Sequence, residues 1–260
     1  MSGGRLALWP AIDLLGRRIV RLLHGKREAA TFFDEPPAQA ATRFAAEGAD
    51  GIHVVDLDAA FGTGNNWKEI EEILSVSDAS GVAVQVGGGL RSIEAVEDFL
   101  ERGNGARAVL GSLALLERTA LTHLLRKSSS SSSSSALIVV ALDCKGGRPT
   151  VRGWTEDAGA GDAASVARSL AELGVSSLLV TDVARDGAMT GPNLELLSAV
   201  RAVFSGEILA SGGMRGEEDL APVDRALAGG PRGAIFGRAL HSGATTVARL
   251  KAARDLGRPS

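Results

Sequence analysis

Short runs of Val, Ile and Leu recur along the chain without alternating with polar residues, which is the pattern of strands buried on both faces. They lie at residues 6–13, 51–56, 82–86, 106–111, 137–143, 177–181, 207–211 and 233–237. Between them the apolar positions switch to helical spacing, at 38–47, 67–74, 93–102, 116–126, 163–173, 194–204, 217–228 and 245–255. Strand then helix, eight times over, predicts an α/β fold, a (β/α)8 TIM barrel.

The two halves of the chain also resemble each other. Asp56 matches Asp182 and Gly111 matches Gly237 at an offset of 126, while Gly88, Gly89 and Arg91 match Gly212, Gly213 and Arg215 at 124. Asp13 matches Asp143 at 130, in the similar settings Ala11-Ile12-Asp13 and Ala141-Leu142-Asp143. A four-strand half cannot cover its own sheet edges, so this repeat implies two halves closing one barrel, a single domain over residues 1–260.

Composition narrows the function. A net charge of -3 without long like-charge runs argues against nucleic acid or an anionic membrane surface as a partner. No apolar run reaches the roughly 20 residues of a membrane span, and the first residues lack the order of a signal peptide. One cysteine, Cys144, excludes an internal disulfide framework and fits a reducing cytoplasm; strand alternation points it away from Asp143 as a small buried hydrophobe. His24, His53, His123 and His241 lack ligand spacing, so no metal is expected. The eight serines at 128–135 read as a loop on the face opposite the expected active site. A monomer is the default expectation.

The 33 glycines are about 13% of the chain against roughly 7% in ordinary usage, and their location matters. In such a barrel the active site lies at the C-terminal strand ends. These ends read Asp13, Asp56, Gly87-Gly88-Gly89, Gly111-Ser112, Asp143, Thr181-Asp182, Ser211-Gly212-Gly213 and Gly237-Arg238. Glycine lets backbone N–H groups approach an anion, and a following helix N-terminus adds its dipole. Two such loops half a chain apart form two candidate phosphate cups, from Gly88, Gly89, Arg91, Gly111 and Ser112, and from Gly212, Gly213, Gly237 and Arg238. They imply a small bis-phosphate ligand. Asp13 and Asp143 would face each other between the cups as a base and acid pair. Strand-end aspartates also cap loops, a reading that weighs more for Asp56, and Thr181 is either a rim hydrogen-bonding group or a β-branched strand residue. Nothing resembles a nucleophile with its base or a dinucleotide fingerprint, so covalent and redox chemistry are disfavoured.

Pro10-Ala11-Ile12-Asp13-Leu14, Val54-Val55-Asp56-Leu57-Asp58, Gln85-Val86-Gly87-Gly88-Gly89-Leu90-Arg91, Thr181-Asp182-Val183-Ala184-Arg185-Asp186-Gly187 and Gly237-Arg238-Ala239-Leu240 resemble, in order, the phosphoribosylformimino-5-aminoimidazole carboxamide ribotide isomerases of histidine biosynthesis. The resemblance implies a cofactor-free Amadori rearrangement of an aminoaldose to an aminoketose. It casts Asp13 as the acceptor of the sugar C2 proton, Asp143 as the donor that assists furanose opening and Thr181 as their support. Arg21, Asp56, Arg152, Trp154 and Asp182 are further candidate substrate contacts. Two features depart from the family: Ala188 stands where a threonine is frequent, and His24-Gly25-Lys26-Arg27-Glu28 lacks the usual aromatic. Asp58-Ala59-Ala60-Phe61-Gly62 and Arg152-Gly153-Trp154 are similar to dual-substrate phosphoribosyl isomerases that also act on phosphoribosyl anthranilate. Gly87, where those enzymes usually have serine, weighs against that alternative. A non-catalytic sugar-phosphate binding barrel is the alternative of another class.

Overall fold

In the computed structural model, which describes residues 4–23, 26–129, 137–159 and 161–257, all eight apolar runs are parallel strands of one closed sheet. The first half comprises β1 (Ala7–Leu15), β2 (Arg18–Leu23), β3 (Lys26–Phe33), α1 (Pro37–Ala46), β4 (Gly51–Asp56), α2 (Leu57–Phe61), α3 (Trp67–Ser80), β5 (Ala83–Gly87), α4 (Ile93–Arg102), β6 (Arg107–Leu110), α5 (Ser112–Leu116) and α6 (Arg118–Ser129). The second comprises β7 (Ile138–Lys145), β8 (Arg148–Val151), β9 (Glu156–Asp157), α7 (Ala163–Glu172), β10 (Ser177–Asp182), α8 (Leu194–Arg201), β11 (Glu207–Ser211), α9 (Leu220–Ala226), β12 (Arg232–Phe236), α10 (Arg238–His241) and α11 (Val247–Leu256). The barrel runs β1-β4-β5-β6-β7-β10-β11-β12 and closes where β12 pairs β1 in parallel. This is the (β/α)8 barrel expected.

Strands two-sidedly buried make two apolar layers. Outward side chains such as Leu8, Ile12, Val54 and Leu142 pack beneath helix faces such as Ala40, Ala41 and Phe44 of α1. Fully burying each such Leu, Ile or Phe contributes about 1.5–3 kcal/mol. Inward side chains Trp9, Val109, Val139, Leu179, Leu209 and Ile235 fill the barrel. Gly51 is required there, since a Cβ at that position would fall on the Trp9 ring. At the N-terminal end, Arg107 pairs with Glu207 and Ser177 and closes the barrel floor.

Several boundaries move for identifiable reasons. Helix α3 continues past residue 74, with the Ser75 and Ser80 hydroxyls satisfied by the carbonyls of Glu71 and Val76, and it stops at Gly81 in the left-handed region. The helix expected at 116–126 is α6, preceded by a short helix, α5, that was not expected, and the one expected at 217–228 starts as a 3-10 turn, Glu217–Asp219. α6 includes Ser128 and Ser129, so the serine run opens as helix, and its remainder lies outside the described residues, as do His24 and Gly25. β2, β3, β8 and β9 were not among the expected strands. Both β1–β2 and β7–β8 are antiparallel hairpins with two-residue turns, Gly16-Arg17 (φ 57 and 66) and Gly146-Gly147 (φ 59 and 77). Paired positive φ is the type I′ geometry that suits the twist of a hairpin. No helix among the described residues is long and apolar enough to cross a membrane.

Candidate active site

The β1–β2 hairpin and the β8–β9 turn that follows β7 each deliver one polar side chain to a carboxylate. On β1, Asp13 points into the barrel mouth, and the β1–β2 turn brings Arg21 Nη1 to 2.6 Å from its Oδ2. Arg21 Nη2 also lies 3.7 Å from Asp186 Oδ1, on the loop after β10. Burial over the apolar barrel filling outweighs the Arg21 charge and, with Asp186 adding repulsion, pushes the Asp13 carboxyl up to about 6. On β7, Asp143 Oδ2 accepts from Trp154 Nε1 at 2.9 Å, and the hydroxyl of Thr181, its register partner on β10, donates to the same carboxyl. Burial raises Asp143 too, opposed by these two hydrogen bonds and assisted by Asp186. Trp154 is held at φ 72 after Arg152 and Gly153 at φ 53 and 66, a costly backbone for a bulky residue, found where surroundings enforce it. β1 and β7 are separated by three strands on either side, so Asp13 and Asp143 stand across the rim from each other.

Between them lie the glycine loops, and they are conformational copies. Gly88 and Gly89 have φ 101 and 76, Gly212 and Gly213 φ 89 and 86. A Cβ at Gly88 would meet the Asp56 carbonyl, and one at Gly212 would lie 2.6 Å from the Asp182 carbonyl, so the loops press directly on the preceding strand ends. Gly111 (φ -95, ψ -101) and Gly237 (φ -110, ψ -90) repeat each other as well, each opening a short helix whose first N–H groups have no helical acceptor. The cup at β11–β12 is a small cavity lined by Gly212, Gly213, Gly237, Arg238, Arg21 and Asp186, spanned by a 2.8 Å bond from Arg238 Nη1 to the Gly187 carbonyl. In the other cup, Ser112 Oγ accepts from the backbone N–H of Arg152 at 2.8 Å.

Other candidates have different partners. Asp56 accepts from Ala59 N and from both the N–H and the side-chain amide of Asn66, and Asp182 accepts from Ala184 N and Asn193 Nδ2; both are loop-fixing carboxylates beneath the cups. Arg91 reaches outward to the Ala60 carbonyl, and the Arg152 guanidinium pairs with Glu156 at the surface, so neither enters the mouth here. Cys144 is buried in the outer layer, and burial raises its thiol. Asp186 is the group the strand-end reading missed, because it sits four residues beyond its strand; the Arg-Asp-Gly run around it was the available signal. His53, buried inside the barrel against Gln85 at 2.9 Å and pushed down to about 3 by burial, is a neutral member of the same interior.

A closed barrel with buried carboxylates across one rim and matching glycine loops between them defines a (β/α)8 protein with a polar site at the C-terminal ends of its strands. The chain belongs to the histidine biosynthesis protein family, whose model matches residues 7–246. It is 39% identical over 249 residues to a protein of Paracoccus denitrificans, covering 95% of this chain and 99% of that one. It is 35% identical over 246 residues to a protein of Alkaliphilus metalliredigens, covering 95% and 98%. It is 38% identical over 247 residues to one of Frankia alni, covering 95% of each. All three are named 1-(5-phosphoribosyl)-5-((5-phosphoribosylamino)methylideneamino) imidazole-4-carboxamide isomerase.

Proposed function

We propose that this chain isomerises the same phosphoribosylamino-methylideneamino imidazole-carboxamide ribotide, an aminoaldose, to its aminoketose in histidine biosynthesis. The observation that carries the reading is the pair Asp13 and Asp143, buried across the rim between two matching cups. Asp143, raised by burial, is suited to donate a proton to the furanose ring oxygen as the C1–O bond breaks and the exocyclic nitrogen forms a C=N bond to C1. Asp13, with Arg21 beside it, then accepts the C2 proton, and the resulting enolamine gains a proton at C1 and loses its C2 hydroxyl proton to give the ketone at C2. Thr181 and Trp154 hold Asp143. Gly88, Gly89, Gly111 and Ser112 would take one phosphate, and Gly212, Gly213, Gly237 and Arg238 the other. The chemistry calls for no cofactor, and the lone buried thiol of Cys144 suits a cytoplasmic enzyme.

Turnover of this substrate by the purified protein tests the reading. Asp13→Asn is expected to lower kcat by roughly 100-fold or more while substrate still binds, as for loss of a general base. Tight binding without turnover by the unaltered protein would instead make it a binding barrel and sink the proposal.

A further inference from the structure

At the top of the barrel the last strand parts from the first. β12 and β1 keep register from Ala7↔Gly233 to Pro10↔Phe236, and the chain then turns at Gly237 into α10. The next carbonyl of β1, that of Ala11, is met by a side chain: His241 Nε2, from the last residue of α10, lies 2.7 Å away. A carbonyl only accepts, so this nitrogen carries the proton and donates. Burial pushes His241 down to about 4, leaving a neutral ring whose single N–H is committed to Ala11.

The ring is fixed from two further directions. Phe33, the last residue of β3, lies against it at 5.1 Å between centroids, and Phe44 of α1 meets it edge-on at 5.8 Å. Phe33 is also the register partner of Ile19 on β2, two residues before Arg21. One imidazole therefore touches the helix that opens the β11–β12 cup, the strand that carries Asp13 and the hairpin that carries Arg21.

We propose that His241 is a positioning residue that fixes the β11–β12 phosphate cup at a set distance from Asp13. A four-residue helix has no stability of its own, and α10 holds its single turn through the Gly237 carbonyl, which accepts from Leu240 N and His241 N. Those bonds shape the turn without tying it to β1. The His241–Ala11 bond does tie it, two residues before Asp13 on a strand paired on both sides. A phosphate held in the β11–β12 cup, lined by Gly212, Gly213, Gly237 and Arg238, is thereby placed relative to the Asp13 carboxylate, and misplacement by about 1 Å costs up to 100-fold in rate.

The catalytic part rests on the isomerase reading, so two readouts are needed. His241→Phe keeps a ring between Phe33 and Phe44 but removes the donor, whereas His241→Gln restores one. In steady-state kinetics His241→Phe is expected to lose kcat at least about tenfold with KM changed less than about threefold, and His241→Gln to recover most of the loss. In hydrogen–deuterium exchange, the segment 237–241 is expected to exchange faster in His241→Phe and at the unaltered rate in His241→Gln. Unaltered kcat in His241→Phe, or equal losses in both variants, would overturn the positioning role. Inactivity of the unaltered protein would overturn the isomerase reading instead, and the exchange comparison would still decide the structural tie, an unchanged rate in His241→Phe refuting it. If His241→Phe does not fold, His241→Leu supplies the donor-free comparison with the same expected outcomes.

Discussion

Asp13 and Asp143 share burial but differ in what faces them, and in the proposed reaction that difference would separate their work. Asp13 has a guanidinium at 2.6 Å and an elevated value of about 6, so it is mostly ionised at neutral pH and ready to accept a proton. The acid limb of kcat/KM is therefore expected near pH 6, falling tenfold per unit below it, and absent at that position in Asp13→Asn. The same shift has a consequence for stability. With a folded value of about 6 above the ordinary 3.8, the folded state binds the extra proton, so the stabilisation is full below about 3.8 and is lost as pH rises through about 6. Urea unfolding at pH 4 and pH 7 should show the unaltered protein losing more stability over that interval than Asp13→Asn does. For Asp143 the Trp154 bond holds the value down against burial. Trp154→Phe removes that bond, which favours the charged form, so the alkaline limb of kcat/KM should move to higher pH; an unmoved limb would mean that Asp143 is not the titrating acid.

Among the elements, the hairpins added after β1 and β7 do what bare strand ends could not, because each returns a side chain to the carboxylate it follows. Their turns were readable, since Gly16-Arg17 and Gly146-Gly147 sit at the half-chain offset of 130 and Gly146-Gly147 is a hairpin dipeptide. The strands between turn and tip were not: β3 is mostly exposed and carries no apolar alternation, and β8, though it alternates, is only four residues long, too short for its period to stand out. The strand-end rule found Asp13, Asp143 and Thr181 because these project from β1, β7 and β10 themselves, and it passed over Asp186, whose position depends on loop path. Asn66 shows how the first hairpin is held. Its side-chain oxygen accepts from Arg17 N, and its amide donates to Asp56 and Asp58, while Asp58 also accepts from Gly16 N. Its counterpart Asn193 bonds Asp182 and caps α8 but holds no hairpin turn. Asn66→Ala should therefore cost about 1–3 kcal/mol for the buried groups left unpaired, and more than Asn193→Ala, as measured by denaturant midpoints.

Across the whole molecule, the offset pattern visible in the sequence is a physical repeat: the same Gly-Gly conformation and the same Asp–Asn brace recur on opposite sides of one rim. Neither half closes without the other, since β6 pairs β7 and β12 pairs β1. A single-domain monomer, the expectation from the sequence, predicts one unfolding transition with a midpoint independent of protein concentration, which calorimetry at two concentrations would check. In the proposed reaction two cups would also set what the molecule selects. Each would offer a phosphate backbone N–H groups, and the β11–β12 cup, lined by Arg238, would add a guanidinium. A charge-assisted hydrogen bond contributes about 1.5–3 kcal/mol, so a substrate lacking one phosphate forfeits two or more of them. Because the second phosphate fixes where C2 lies relative to Asp13, its loss should appear in kcat as well as KM. Removing either terminal phosphate enzymatically before the assay is expected to lower kcat/KM at least about 100-fold. A drop seen for one end only would mean that a single cup anchors the ligand and that its matching partner is a structural echo of the repeat.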